Sequence, residues 1–215
     1  MPYVIRPPVR KMSLAGALAL LILAIGTLLS PSQSAAAGSS GPGGCDALSL
    51  SSPFAQFGDL NAYALIEGGS FERGLRGWSL HEARVVDGNE RFYVRSPSDT
   101  KSLSIDRDGK VVSDSFCVDP SFPHLRFFAR YEGASNATMA VRLRWSEGRR
   151  NYECTLGSLR SEDFSSWQAT DMLPLARMLD LEYAGQTEDV RLVFDPSSGG
   201  GSWLIDDVYV DPYRR

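Results

Sequence analysis

The feature of this sequence that most constrains its fold is a series of short segments in which apolar and polar residues alternate. Met139, Val141 and Leu143, for example, alternate with Arg142 and Arg144. Alternation with a period of two places successive side chains on opposite faces of a β-strand. Turn residues (Gly, Asp, Asn and Ser) separate the segments. Short strands spaced in this way predict an all-β, two-sheet antiparallel β-sandwich rather than βαβ units. The predicted strands are Tyr63–Ile66, Ala83–Val86, Ser102–Ile105, Val111–Val118, Leu125–Tyr131, Met139–Trp145, Asn151–Leu156, Trp167–Met172, Asp189–Asp195 and Ser202–Val210.

The N-terminal residues predict a signal helix for export. Arg6, Arg10 and Lys11 precede an uncharged apolar run over residues 13–29, and small residues follow it. This order is typical of a secretory signal peptide, and we expect cleavage near Ala37. A retained membrane anchor is the alternative, because a run of 17 residues lies at the short end of the spanning range.

The rest of the chain is predicted to form one secreted domain. After the signal peptide (residues 1–37), residues 38–44 are Gly, Ser and Pro and predict a flexible lead. Residues 45–215 have a uniform composition and a length that suits a single domain. One short helical pattern, Leu175–Leu181, is long enough only to cap an open end of the sandwich.

The charge balance argues against a nucleic-acid partner. The signal peptide holds three of the 22 basic side chains and none of the 26 acidic ones, so the mature part has 19 basic side chains against 26 acidic ones. An acidic surface gains nothing from the phosphate electrostatics that dominate nucleic-acid binding. We therefore expect no nucleic acid among its partners.

The three cysteines predict one disulfide bond and one free thiol. Cys154 alternates in phase with Tyr152 and Leu156, which places it on the apolar face of a strand, where a free cysteine behaves as a small hydrophobic residue. Cys45 lies where the flexible lead meets the domain, and Cys117 lies at the end of a strand. We expect a Cys45–Cys117 bridge, although the spacing also permits the other two pairings.

Two segments at opposite ends of the domain carry a resemblance to a known family. Residues 68–78 (GGSFERGLRGW) and residues 203–210 (WLIDDVYV) resemble the opening and closing segments of galactose-binding-like jelly rolls. Among these, the carbohydrate-binding modules that accompany bacterial polysaccharide hydrolases are the most similar. With residues 127–130 (FFAR) and 206–213 (DDVYVDPY), the chain also resembles a secreted actinobacterial family of unassigned function. The resemblance implies a jelly-roll sandwich.

The same resemblance implies a structural calcium ion. In such jelly rolls an opening Glu and a closing-strand Asp commonly hold Ca²⁺ between the first and last strands, and the matching residues are Glu72 and Asp206, with Asp207 as a substitute. Ca²⁺ takes six to eight oxygen ligands, which two carboxylates and nearby backbone carbonyls supply in large part. The alternative is that Glu72 accepts turn hydrogen bonds and Asp206 pairs with an arginine.

The arginines and one tryptophan are the candidate ligand-binding residues. Five arginines have the phase opposite to the core residues of their strands, and guanidinium groups suit carboxylates and phosphates. If their strands are neighbours, these side chains form one band; otherwise each pairs with a local acid. Trp167 lies at a loop edge and is the tryptophan least committed to the core. The arginines are Arg126, Arg130, Arg142, Arg144 and Arg191.

These features favour a non-catalytic binding module for a polysaccharide or an anionic cell-envelope polymer. The alternative is a structural or protein-interaction domain of the cell envelope. An enzyme is the third hypothesis, because paired carboxylates cleave glycosides. The sequence offers no nucleophile motif, and its histidines, His81 and His124, are far apart.

Overall fold

The structure is a computed structural model that describes residues 49–119, 124–134, 136–175, 179, 188–197 and 199–211. The predicted signal peptide, the flexible lead, Cys45 and most of the predicted helical segment Leu175–Leu181 lie outside these residues. Among the described residues, no helix is long and apolar enough to cross a membrane.

The described chain consists of twelve strands and two short 3-10 helices. The helices are Ala55–Phe57 and Ser161–Phe164. The strands are β1 (Leu50–Ser51), β2 (Tyr63–Leu65), β3 (Ser79–Asp87), β4 (Lys101–Val112), β5 (Phe116–Val118), β6 (His124–Gly133), β7 (Thr138–Glu147), β8 (Arg150–Arg160), β9 (Gln168–Ala169), β10 (Leu173–Pro174), β11 (Glu188–Pro196) and β12 (Gly201–Asp211).

All of the strand pairs are antiparallel, and they form two sheets. In the first sheet, β12 pairs with β2, β4 and β6, while β3 and the short strands β1, β9 and β10 extend it. In the second sheet, β11 lies between β7 and the pair formed by β5 and the end of β4, and β8 follows β7. From β5 onward the chain crosses repeatedly between the sheets: β5, β7, β8 and β11 lie in the second sheet, and β6, β9, β10 and β12 lie in the first. The predicted all-β, two-sheet sandwich is confirmed.

One strand, β4, belongs to both sheets. Its residues Leu103 to Asp106 pair with β12, whereas Val111 and Val112 pair with β11. Residues 106–109 (DRDG) lie between the predicted strands Ser102–Ile105 and Val111–Val118, and their composition predicts a turn. In the structure these residues instead belong to β4. They lie opposite Glu82, where the register between β3 and β4 shifts. A side chain at position 109 would approach the backbone oxygen of Glu82 to 2.6 Å, so only glycine fits there.

The main core lies between the two sheets. The inward side chains of β4, β6, β7, β11 and β12 form one buried cluster. Phe127 on β6 contacts Phe194 on β11 edge to face, with 5.3 Å between the ring centres, although these strands belong to different sheets. Aromatic and branched side chains that alternate along each strand therefore bury one face of each sheet, as their sequence pattern predicts.

A second hydrophobic cluster covers the outer face of the first sheet. It contains Phe54, Tyr63, Phe128, Trp167, Leu204 and Tyr209. Phe54 contacts the rings of Tyr63, Phe128 and Tyr209, and all four side chains are buried. Phe128 has the same phase along β6 as Arg126 and Arg130, and the alternation therefore predicts that it faces water; this prediction is wrong, because Phe128 is fully buried. The segment at residues 54–59 covers that side, so Phe128 is buried although it faces away from the main core.

The cysteines agree in part with the prediction. Cys154 lies on β8 opposite Leu143, packs against the main core and is a free cysteine, as expected. Burial raises the pKa of its thiol, which keeps it protonated near neutral pH. Cys117 lies at the centre of β5. Its predicted partner Cys45 lies outside the described residues, so the bridge stays a prediction.

Alkylation tests the cysteine assignment. When the exported protein is unfolded in denaturant without a reductant and treated with iodoacetamide, we expect modification at Cys154 alone, because a Cys45–Cys117 bridge protects the other two. Peptide mapping locates the label. Modification of all three cysteines would contradict the bridge, whereas the same treatment after reduction serves as the control and labels all three.

Candidate functional site

The five candidate arginines do not form one band. Arg126 and Arg130 lie on β6 in the first sheet, whereas Arg142, Arg144 and Arg191 lie on β7 and β11 in the second sheet. Within the second sheet, Arg144 and Arg191 are directly opposite each other in the antiparallel register. The sequence could not show this division, because alternation gives the face of each strand but not the sheet to which it belongs.

The two candidate arginines on the first sheet pack on aromatic rings of the second hydrophobic cluster. Arg126 lies over the ring of Phe54 at 4.3 Å, donates to Asp59 at 2.7 Å and donates to the carbonyl oxygen of Thr170 at 2.9 Å. Arg130 pairs with Glu132 and lies over the ring of Trp167 at 5.7 Å. Trp167 is only 5% exposed. These arginines cover the protein's own aromatic rings and pair with its own acids, and a role of these residues in ligand binding stays a prediction.

The candidates on the second sheet lie on its outer face, where acidic groups neutralise them. Arg144 donates two hydrogen bonds to one carboxylate oxygen of Glu153, at 3.0 and 2.7 Å. Arg142 pairs with Asp195 and lies 3.7 Å from Glu153. Lys110, from β4, lies 3.6 Å from the same Asp195 carboxylate. The basic side chains of this face are thus paired with acidic ones.

Two open cavities lie along this outer face and share Arg144. The first has a volume of about 750 Å³ and the second about 540 Å³. We call the two together the cleft. The first cavity is lined by Ser115, Cys117, Arg144, Trp145, Ser146, Glu188, Asp189 and Arg191. The second is lined by Ser79, His81, Arg107, Asp108, Gly109, Lys110, Val112, Arg144, Asp195, Pro196 and Ser197.

The cleft presents hydrogen-bond donors and acceptors side by side. Guanidinium and ammonium groups donate, carboxylates accept, and serine hydroxyls do both. Arg191 donates one hydrogen bond to the carbonyl oxygen of Ser113 at 3.1 Å, and its guanidinium group lies 3.8 Å from the carboxylate of Asp114. Burial and the charges of Glu147 and Asp189 raise the pKa of Glu188. A surface of this kind matches a ligand that carries many hydroxyl groups.

The first predicted calcium ligand, Glu72, is engaged by the backbone. Its Oε1 atom accepts hydrogen bonds from the amides of Thr100 at 2.7 Å and Lys101 at 2.6 Å. These bonds tie the opening segment of the domain to the start of β4. This is the alternative interpretation of Glu72, in which the carboxylate accepts turn hydrogen bonds.

The second predicted ligand, Asp206, is fully buried and anchors a distant loop. Its carboxylate accepts hydrogen bonds from the amides of Glu90 at 2.9 Å and of Asp207 at 2.8 Å. Glu90 is itself buried and accepts bonds from the amides of Phe92 and Val94 within its own loop. Burial and the neighbouring Asp207 charge raise the pKa of Asp206 to about 9. Asp206 therefore has no arginine partner among the described residues.

Asp207, the substitute ligand, is a buried carboxylate in an uncommon backbone conformation. It is 1% exposed, its backbone has a φ of 47°, and it occupies a β-bulge between Asp206 and Tyr209. Within the described residues, neither of its carboxylate oxygens has a hydrogen-bond partner. Burial, followed by the charges of Glu90 and Asp99, raises the pKa of Asp207 to about 7, and the positive charge of Arg95 opposes this rise.

This acidic region fits a cation only in part. Two unpartnered, buried carboxylate oxygens on Asp207 are the kind of group that a cation neutralises. Among the described residues, however, no three His, Cys, Asp or Glu side chains are grouped so that they could hold a metal ion. A Ca²⁺ ion would therefore take most of its oxygen ligands from the backbone, and the calcium site stays a prediction.

The sequence analysis missed several residues of both regions. Glu90 and Asp99 come from the loop between β3 and β4, and Glu90 is 116 positions from Asp206. No local pattern marks them. In the cleft, Lys110 and Asp195 had a detectable signal, because both have the outward phase of their strands, β4 and β11.

Comparisons with known proteins give similarity of structure only. No protein-family model and no curated protein matches the chain, so the resemblance to an actinobacterial family is unsupported. TmCBM61 in complex with β-1,4-galactotriose has a TM-score of 0.42 and 13% identity over 69% of this chain and 97% of its own. The CBM22-1 xylan-binding domain from Paenibacillus barcinonensis has a TM-score of 0.46 and 12% identity over 68% of this chain and 93% of its own. Similarity at this level does not identify a ligand.

Proposed function

We propose that this protein is an exported, non-catalytic binding module that holds a polysaccharide chain along the cleft on the outer face of its second sheet. The observation that carries the proposal is the position of Arg144, which lines both cavities and therefore lies between them on the outer face. A chain that spans both cavities meets donors and acceptors along its length. The predicted signal peptide is consistent with a polymer found outside the cell.

Ion pairing in the cleft favours a neutral polysaccharide over an anionic polymer. Arg142, Arg144 and Lys110 already face carboxylates within the outer face. Glu188 and Asp189 add further negative charge to the first cavity. An anionic polymer would have to compete with these acids for each guanidinium group, whereas sugar hydroxyls bond to both partners of an ion pair. The anionic cell-envelope polymer expected from the arginine pattern is thus the weaker candidate.

Substitution at the centre of the cleft tests the function. We expect the double variant Arg144→Gln with Arg191→Gln to bind a neutral polysaccharide at least about tenfold more weakly, because each lost hydrogen bond from a charged donor costs about 1.5–3 kcal/mol. Affinity electrophoresis against xylan, mixed-linked β-glucan and β-1,4-galactan measures the effect. Polygalacturonate serves as the anionic comparison.

Arg84→Gln is the matched control, because Arg84 is an exposed arginine on β3 that also pairs with an acid, Asp106, at 3.3 Å. It removes the same charge at a residue that lines neither cavity and should bind as the wild type does. Equal retention of the double variant and the wild type would refute the cleft. Retention of polygalacturonate alone, with strong salt dependence, would instead favour an anionic ligand.

A further inference from the structure

A third cavity lies outside the cleft, at the side of the sandwich. It has a volume of about 310 Å³ and lies between β8, an edge strand of the second sheet, and β9 and β10, which extend the first sheet. We call it the rim cavity. Its lining residues are Ser158, Leu159, Arg160, Asp163, Phe164, Gln168, Ala169, Thr170, Asp171 and Leu173.

The wall of the rim cavity is apolar and held in place by the core. Leu159 and Phe164 are buried, and both belong to the main cluster. Leu173 lies against β8 at Gly157, where a β-carbon would approach its Cδ2 atom to 2.6 Å. Because position 157 has no side chain, β10 can lie this close to β8. The packing of β10 against β8 therefore fixes this wall of the cavity.

The mouth of the rim cavity is polar and carries unused acceptors. Asp163 and Asp171 are exposed, and within the described residues neither has an ion pair or a hydrogen-bonded partner for its carboxylate. Arg160 and Gln168 supply donors beside them; Arg160 pairs with Glu162 at 2.5 Å, and Gln168 donates to Ser166 at 3.1 Å. Carboxylates accept hydrogen bonds from hydroxyl groups, while amide and guanidinium groups donate hydrogen bonds to hydroxyl oxygens.

We propose that the rim cavity is a second saccharide site, independent of the cleft, which takes one or two neutral sugar units. A sugar ring has one apolar face of C–H groups and an equator of hydroxyls. The apolar face of the ring would contact the wall formed by Leu159, Phe164 and Leu173. Its hydroxyls would form hydrogen bonds with Asp163, Asp171 and Gln168. The volume lies at the lower end of the range for small-ligand sites, which fits a short saccharide and not a polymer chain.

Chemical-shift mapping tests this site. The ¹⁵N-labelled exported protein is titrated with cellobiose and, separately, with xylobiose. We expect shifts of the amides of Ser158, Gln168 and Asp171 with at least one of the two sugars, and we expect the same shifts in the Arg144→Gln/Arg191→Gln variant. The Asp163→Asn/Asp171→Asn variant should weaken this binding by about tenfold or more, since it removes two charged acceptors.

Asp87→Asn is the control, because Asp87 is an exposed aspartate on β3 far along the chain from the rim cavity. It should bind both disaccharides as the wild type does. Unmoved rim amides with both sugars up to their solubility limit, in a protein with a well-dispersed spectrum, would overturn the proposal. If amides of the rim cavity shift and amides of the cleft do not, the rim-cavity proposal stands even when the cleft binds no polysaccharide. The two sites are therefore tested separately.

Discussion

Replacing Phe54 by alanine is expected to lower the free energy of unfolding by about 3–5 kcal/mol, the usual cost of removing a buried phenylalanine ring. Phe54 is 0% exposed, contacts three aromatic rings and lies beneath the guanidinium group of Arg126. Its loss leaves a cavity on the outer face of the first sheet and uncovers Phe128. Urea unfolding followed by tryptophan fluorescence measures the change.

Leu60→Ala is the control for this prediction, because Leu60 follows the same segment but is 80% exposed. An exposed apolar side chain of this kind should contribute within about 0.5 kcal/mol. If the two variants unfold at the same urea concentration, the segment at residues 54–59 is not packed on the sheet as described.

Raising the pH from about 4 to about 8 is expected to destabilise the protein in the absence of added metal. The pKa values of Asp206 and Asp207 are raised in the folded state, to about 9 and about 7, against about 3.9 in an unfolded chain. The folded state thus holds protons that the unfolded state releases. The stability is fully present below about pH 4 and is lost as the pH rises through the folded pKa values. Thermal unfolding at a series of pH values measures it.

Asp207→Asn identifies the source of this effect. It removes an unpartnered buried charge, which is worth about 1–3 kcal/mol, so we expect a higher melting temperature at pH 8 and a flatter pH dependence. Asp108→Asn, at an exposed aspartate of β4 that pairs with Arg107, should leave both unchanged. A lower melting temperature of Asp207→Asn at pH 8 would contradict the assignment.

The same measurement tests the calcium prediction. If Ca²⁺ binds at Asp207, adding it at pH 8 should raise the melting temperature of the wild type, and EDTA should reverse the increase. A hundredfold excess over the Kd is worth about 2.7 kcal/mol. The Asp207→Asn variant should respond less. An equal melting temperature in Ca²⁺ and in EDTA would remove the site.

The sequence predicted the fold well because the strand signal is local. Alternation along β6, β7 and β11 identified these strands and their inward residues, whereas β12 does not alternate and is buried along most of its length. It failed at Phe128, because the cover of its outer face comes from residues 54–59, and no local pattern shows which distant segment packs on a face. It also failed at residues 106–109, where a turn signal marks the point at which a single strand changes sheets.

The site was harder to predict because it depends on which strands become neighbours. Alternation found the outward phase of Arg144 and Arg191 but could not separate them from Arg126 and Arg130. The buried acids show the same limit. The closing motif indicated Asp206 and Asp207, but their surroundings are set by Glu90 and Asp99, which lie more than one hundred positions earlier in the chain.

The crossing strand β4 has a mechanical consequence for the binding module that we propose. A load applied to a chain in the cleft acts on the second sheet, and the end of β4 is hydrogen-bonded into that sheet. Its first half is bonded to β12, in the other sheet. The two layers are therefore joined by covalent backbone and by hydrogen bonds, in addition to the packing between them. Tension on one layer is transferred along β4 to the other, and the layers cannot separate until hydrogen bonds of β4 break.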